Sequence, residues 1–161
     1  MLAIDPGTVE SGYVWLEPSA DRLHRVLGKG KVSHHDLLRD LATPDLVVIE
    51  MVSCYGLRVG RDIFETCTWI GRYCEVFRER AKVRRLYRRQ IKNHLCPGVD
   101  KANDASIRAV LIDRYGPGRK AAMGRKADPG PLYGVTKDAM QALAVGVTAI
   151  EQPDLLEEFP A

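Results

Sequence analysis

The 161-residue chain is 45% apolar and 28% charged, the balance of an ordinary soluble globular protein with one sizeable core. It contains no run of about 18 apolar residues, which excludes a membrane-spanning helix, and the strand-like segment directly after Met1 is read as leaving no room for a secretory signal. The formal charge of +3 hides an asymmetry, because 15 Lys or Arg stand against 4 Asp or Glu between Arg78 and Lys126, leaving the rest of the chain acidic. A charge run is often only a solvated face, but one this concentrated suits an anionic polymer. With no basic amphipathic helix carrying a large aromatic face, nucleic acid is the better partner than a membrane.

In chain order, "LAID" (2–5) and "SGYVWLE" (11–17) predict two strands joined by a turn at Pro6 and Gly7. Residues 21–32 predict a third strand, weakened or bulged by Gly28 and Gly30. Ser33 can cap a short helix through Leu37, Leu38 and Leu41. "DLVVIE" (45–50) has the continuous apolar core of a strand covered on both faces. A loop with Gly56 and Gly60 leads to an amphipathic helix over 61–81, with Ile63, Phe64, Cys67, Ile70, Cys74 and Phe77 at helical spacing. A last strand (82–88) precedes a short helical segment, "RQIKNHL", and then a helix over 103–116 capped by Asn103 or Asp104. Residues 116–134, rich in Gly, Pro, Lys and Arg, predict a flexible basic loop outside the core. Thr136 caps a final helix (136–150), and the acidic tail 151–161 is expected to dock loosely on a single domain spanning 1–150. Cys54, Cys67, Cys74 and Cys96 have neither disulfide nor zinc spacing, and read as free thiols of a reducing cytoplasm.

Two strands end in acids, Asp5 and Glu50, at the strand ends where ligands sit in open α/β sheets. An Asp in that position is most often a turn residue. Glu50 is harder to explain that way, because Glu is a poor turn-former and this one follows four apolar residues. Asp138 stands in the first turn of the final helix, where it can also serve the helix dipole, and Gln141 shares its face. If these acids converge, their repulsion calls for a hard divalent cation such as Mg²⁺, and two such ions can drive in-line hydrolysis of a phosphodiester.

"IDPGTVESGY", "VVIE" with the following "YGLRVG", and "KDAMQALAVGV" resemble the RuvC-type Holliday-junction resolvases of the RNase H-like superfamily. "KNHLCPGVDKANDASIRAVLIDRYG" and "GPLYGVTKDAMQALAVGV" look most like a RuvC-like branch found in phages. The resemblance covers roughly residues 2–150 and rests on the order and spacing of motifs that are individually weak. It implies an α/β fold with a mixed five-stranded sheet flanked by helices, a homodimer, branched DNA as substrate, and Mg²⁺ (Mn²⁺ able to substitute) as cofactor. It implies catalytic and metal-binding roles for Asp5, Glu50 and Asp138. The second acid of the family's last helix falls on Gln141, a weaker neutral ligand, so that three acids suffice, another acid completes the set, or activity is reduced. For Lys92, Arg88 and Arg89 it points to phosphate contacts, with Lys101, Arg108, Arg119, Lys120 and the loop residue Arg58 as further DNA-binding candidates.

Other readings of the same residues are a branched-DNA binder without catalysis, motivated by Gln141, and a nuclease for RNA–DNA hybrids. "DPGT" followed by Gly12 also matches the phosphate loop of actin-like ATPases, but that architecture needs two related domains, more than 161 residues can hold.

Overall fold

Central strands buried on both faces set the architecture. In the computed structural model, which describes residues 1–39, 43–54, 56 and 58–159, the chain runs β1 (Leu2–Pro6), β2 (Glu10–Glu17), β3 (Arg25–Ser33), α1 (His34–Arg39), β4 (Leu46–Met51), α2 (Arg61–Arg78), β5 (Lys82–Tyr87) and α3 (Arg88–Leu95). It continues through α4 (Asp104–Tyr115), α5 (Arg119–Met123), β6 (Gly124–Arg125), β7 (Asp128–Pro129), α6 (Lys137–Glu151), a 3₁₀ turn (Pro153–Leu155) and β8 (Glu157–Glu158). The main sheet has the order β3-β2-β1-β4-β5-β8, with β1, β4 and β5 parallel and the other pairings antiparallel.

Side chains two apart share a sheet face. Leu2, Ile4, Val47 and Ile49 therefore pack on one side against Leu37 of α1 and Ile70, Tyr73 and Phe77 of α2. Ala3, Val14, Leu16, Val48 and Leu86 face the other side, towards α3, α4 and α6. Each fully buried aliphatic side chain stabilises the fold by roughly 1.5–3 kcal/mol. Continuing the alternation by two residues puts Asp5 and Glu50 on the α6 side, at the C-terminal ends of adjacent parallel strands.

Helix α6 is buried from Ala139 to Ala149, and its small residues let it lie close on the sheet. A Cβ at Gly146 would come 2.3 Å from Leu16 Cδ1 and 3.2 Å from Ala3 Cβ, so a larger residue there would displace the buried Leu16 side chain. On the opposite face, Ser11, His34 and Tyr73 form a buried hydrogen-bonded triangle, with Tyr73 Oη 2.7 Å from His34 Nδ1 and 2.9 Å from Ser11 Oγ. His34 also stacks on Trp69 at 4.2 Å, which ties α1 and α2 to β2 beneath the first hairpin.

Several expectations are corrected. Residues 116–134 form α5 and a two-residue hairpin, anchored by fully buried Ala122 and Leu132. Apolar residues spaced among the glycines, rather than the glycines, decide that segment. The acidic tail supplies a sixth strand: β8 pairs with β5, and Glu158 and Glu157 meet Arg84 at 2.6 Å and Arg85 at 3.2 Å. The first strand extends through Pro6, so the turn falls at 7–9, closed by the Gly7 amide donating to the Glu10 carbonyl at 3.1 Å. Helix α2 stops at Arg78, β3 begins at Arg25, and Leu41 lies outside the described residues. Among the described residues no helix is long and apolar enough to cross a membrane.

Candidate active site

Three backbone devices bring the acids together. Asp5 is paired with Gly12 across the β1–β2 hairpin. Glu50 follows directly on Ile49, the register partner of Ile4. Thr136 caps α6 by accepting from the Ala139 amide, which sets the first turn, and Asp138 with it, over the end of the sheet.

A fourth device delivers a cation. There is no loop between β5 and α3: Tyr87 ends the strand, its amide donates to Gln90 Oε1 at 2.6 Å, and Arg88 opens the helix. Glu50 lies opposite Leu86 in the β4–β5 register, so Arg88 emerges beside it. The guanidinium donates to Glu50 Oε2 at 3.3 Å, to Gln141 Oε1 at 2.7 Å and to the Asp104 carboxylate. Gln141 is only 8% exposed, so this contact meets a real need of a buried amide oxygen. Across Asp5, Lys31 reaches Asp138 at 3.6 Å and Glu10 at 3.4 Å.

The electrostatics show carboxylates short of positive charge. Burial, followed by the charge of Glu50, pushes the Asp5 carboxyl up to about 7, against the pull of Arg88. Burial also raises Glu50, with Arg88 again the main opposing influence. Oxygen donors with unmet negative charge are what a hard divalent ion requires, so Asp5 and Glu50 fit Mg²⁺. Asp138 stands beside them but is engaged by Lys31, and among the described residues no three acids, His or Cys are drawn together closely enough to enclose an ion.

No protein-family model and no curated protein matches the sequence. Solved structures do. Thermus thermophilus RuvC in complex with a Holliday junction substrate superimposes with a TM-score of 0.70 at 18% identity, covering 98% of each chain. A second T. thermophilus RuvC structure gives 0.66 at 19%, covering 99% of this chain and 100% of the other. The chain has the fold of RuvC.

The basic residues divide into two groups on this RuvC fold. Arg88 faces the acids rather than solvent, and Arg84, Arg85 and Arg114 are paired with Glu158, Glu157 and Glu151. Arg89, Lys92 and Lys101 line an open groove running from Arg88 past Pro97 and Val99. Arg108 shares an adjoining cleft with Lys92, Lys137, Asp104 and Gln141. Arg119 and Lys120 are exposed on α5, and Arg58 is exposed in the loop before α2.

Two site residues escape the sequence reading. Asp104 looks like a helix cap, but Asn103 does the capping, its Oδ1 accepting from the Ala105 and Ser106 amides at 2.9 and 3.1 Å. Asp104 is thereby free to meet Arg88, and the "NDAS" capping pattern was the available signal. Lys31 is the register partner of Gly12, a pairing that depends on how β2 and β3 align and has no local signature.

Proposed function

We propose that this chain is a metal-dependent, structure-selective endodeoxyribonuclease that cuts four-way junctions or other branched DNA. It would act as a homodimer, in recombination, repair or phage DNA processing. The observation that carries this reading is the Asp5–Glu50 pair: two partly buried, under-compensated carboxylates at adjacent strand ends, opening beside a groove lined by Arg89, Lys92 and Lys101. The RuvC fold supports it, and one matching RuvC structure is a complex with a Holliday junction substrate.

Asp5 and Glu50 would hold Mg²⁺, with Asp138 joining them on release from Lys31, Mn²⁺ able to replace it and the Gln141 amide oxygen alongside. A bound metal would supply Lewis acidity at the phosphate and an acidified water, and a two-metal-ion scheme would stabilise both the attacking and the leaving oxygen. The water oxygen bonds to phosphorus as one P–O ester bond breaks, leaving a phosphomonoester and a free hydroxyl. The protein's part is placement. The strand ends fix Asp5 and Glu50 through backbone hydrogen bonds, α6 presents Asp138, and the groove cations hold the DNA backbone without reading its sequence.

Incision of synthetic four-way junctions, forks, duplexes and RNA–DNA hybrids, side by side with Mg²⁺ and Mn²⁺, tests the proposal. Cutting of branched DNA ahead of duplex and hybrid is expected. Junction binding without incision in either metal would instead make the chain a junction-binding protein, a reading that the neutral amide at position 141 motivates. Preference for the hybrid would move it to an RNase H activity.

A further inference from the structure

Position 141 breaks the pattern that the resemblance implies, and the structure shows what the amide does. Three acceptors from three different elements surround one guanidinium: Glu50 from β4, Asp104 from α4 and Gln141 from α6. Arg88 has little freedom to be elsewhere. It begins α3 immediately after β5, its side chain is 21% exposed, and Glu50 beneath it is 13% exposed. A guanidinium is always charged, and its planar fork suits several oxygen acceptors at once. This cation is therefore a permanent part of the carboxylate cluster.

Charge balance then limits what else can bind. Asp5, Glu50, Asp104, Asp138 and Glu10 are offset by Arg88, by Lys31, which Asp138 shares with Glu10, and by Lys92, which acts on Glu50. The cluster retains two excess negative charges, which one divalent ion cancels. A second divalent ion would make the pocket cationic while Arg88 remains in it. A carboxylate at 141 would add a buried charge against a guanidinium that two acids already share. An amide oxygen accepts the same hydrogen bond without that charge.

We propose that Arg88 is the second cation of this site: held by Glu50, Asp104 and Gln141, it takes the place of one of the two metal ions, and the chain works with a single divalent ion at Asp5 and Glu50, which Asp138 joins on release from Lys31. The inference rests on the nuclease reading above and deepens it. It gives Gln141 a positioning role towards Arg88 and makes Asp104 the additional acid of the site. A divalent ion held by the acids would supply Lewis acidity at the scissile phosphate. Arg88 would donate hydrogen bonds to the same phosphate, where negative charge builds on the departing oxygen. Arg88 also lines the groove that holds Arg89 and Lys92, so the same guanidinium can reach a phosphate lying there.

Mn²⁺ alone, titrated into the full chain by calorimetry, reads the stoichiometry without reference to activity. One ion per chain is expected for the unaltered protein and for Gln141→Asp, in which the new carboxylate pairs with Arg88. The double variant Arg88→Met/Gln141→Asp empties the second position, supplies it with an acid, and is expected to bind two. Arg88→Met alone is expected to keep one ion but cut junctions at least about 100-fold more slowly. Arg88→Lys, which retains the charge but not the fork, should keep one ion and lose about tenfold. Circular dichroism confirms that each variant is folded, and Arg88→Lys carries the activity comparison if Arg88→Met is not. Two ions on the unaltered chain, one ion on the double variant, or undiminished cutting by Arg88→Met would overturn the inference and leave the nuclease reading standing. No Mn²⁺ binding at all would overturn both.

Discussion

A Cβ at Gly12 would lie 2.5 Å from the carbonyl oxygen of Asp138 and 2.8 Å from its carbonyl carbon. Gly12 is the strand partner of Asp5, so the absence of one methyl group lets the first turn of α6 close over the strand end that bears the first acid. The contact is with backbone on both sides, and a side-chain rotation cannot relieve it. Gly12→Ala should therefore lift the start of α6 and move Asp138 by a fraction of an ångström to about an ångström. Overpacking of this kind costs about 1–3 kcal/mol, whereas a misplacement of that size in an active site can cost roughly 100-fold in rate. Thermal unfolding and junction incision measured on the same sample separate the two effects. A variant that loses stability but keeps its full rate would show that Asp138 does not need this placement.

Asp5→Asn, Glu50→Gln and Asp138→Asn should each slow incision by at least about 100-fold, with junction affinity changing little because none of these residues belongs to the basic groove. Full nicking by any one variant removes that residue from the site. In metal-free protein, Asp5→Asn should have an opposite effect on stability. The folded carboxyl titrates at about 7, against 3.8 as its ordinary value, so the unfolded chain releases this proton more readily. The destabilisation is fully present above about pH 7, shrinks as pH falls, and is gone below 3.8. With chelator at pH 8 the variant should be more stable by on the order of 1–3 kcal/mol, and at pH 4 by almost nothing. A gain that does not depend on pH would mean that the buried charge is not its source.

The sequence carried much of this arrangement because its signals were local. Four apolar residues ending in Glu50, and a strand ending in Asp5, mark the ends of buried parallel strands whatever lies around them. The Thr136 cap likewise sets the start of α6. What was missed depends on pairings between distant segments. Arg88 reads as a phosphate contact beside Arg89 and Lys92, and only the absence of a loop after β5 turns it towards Glu50. Asp104 reads as a cap because capping is the commonest use of an Asp at a helix start. Lys31 enters through the β2–β3 register, and β8 through the complementarity of Arg84 and Arg85 with Glu158 and Glu157. Overall composition ranked 116–134 as loop because glycine and proline outnumbered the few apolar anchors that hold it.

The division of the basic block into internal and free cations makes a prediction about salt. Arg89 and Lys92 line the open groove and have no acidic partner within ion-pair distance among the described residues, whereas Arg84 is 2.6 Å from Glu158. Removing one cation that neutralises a phosphate lowers the slope of log affinity against log salt by about 1. Arg89→Ala and Lys92→Ala should each have this effect on junction binding, irrespective of the sequence of the arms. Arg84→Ala should leave the slope unchanged, its charge being already matched within the fold. Equal slopes for all three variants would place the DNA elsewhere than in this groove.

The other end of α6 carries a different kind of acid. Glu151 is the last residue of the helix, 3% exposed, where the dipole disfavours a negative charge. Burial alone would raise its pKa. Hydrogen bonds from Arg22 and His94 and the charge of Arg114 outweigh that effect and hold the carboxyl below its ordinary value of 4.5. Arg22 and Arg114 reach the same oxygen at 3.0 and 2.9 Å, and His94 takes the other at 2.7 Å. A depressed carboxylate contributes stability that is fully present above 4.5 and is lost as pH falls through its folded value. Glu151→Gln should therefore cost about 1 kcal/mol near neutral pH, since it removes the counter-charge of the partly exposed Arg114 and the largely exposed Arg22, and much less at pH 3. At about 1.5 Å of rise per residue this cluster lies roughly 20 Å along the helix from Asp138. Incision by the folded variant at 25 °C should match that of the unaltered chain. Denaturant unfolding at the two pH values checks the first expectation. An equal loss at both would show that Glu151 acts through packing rather than charge.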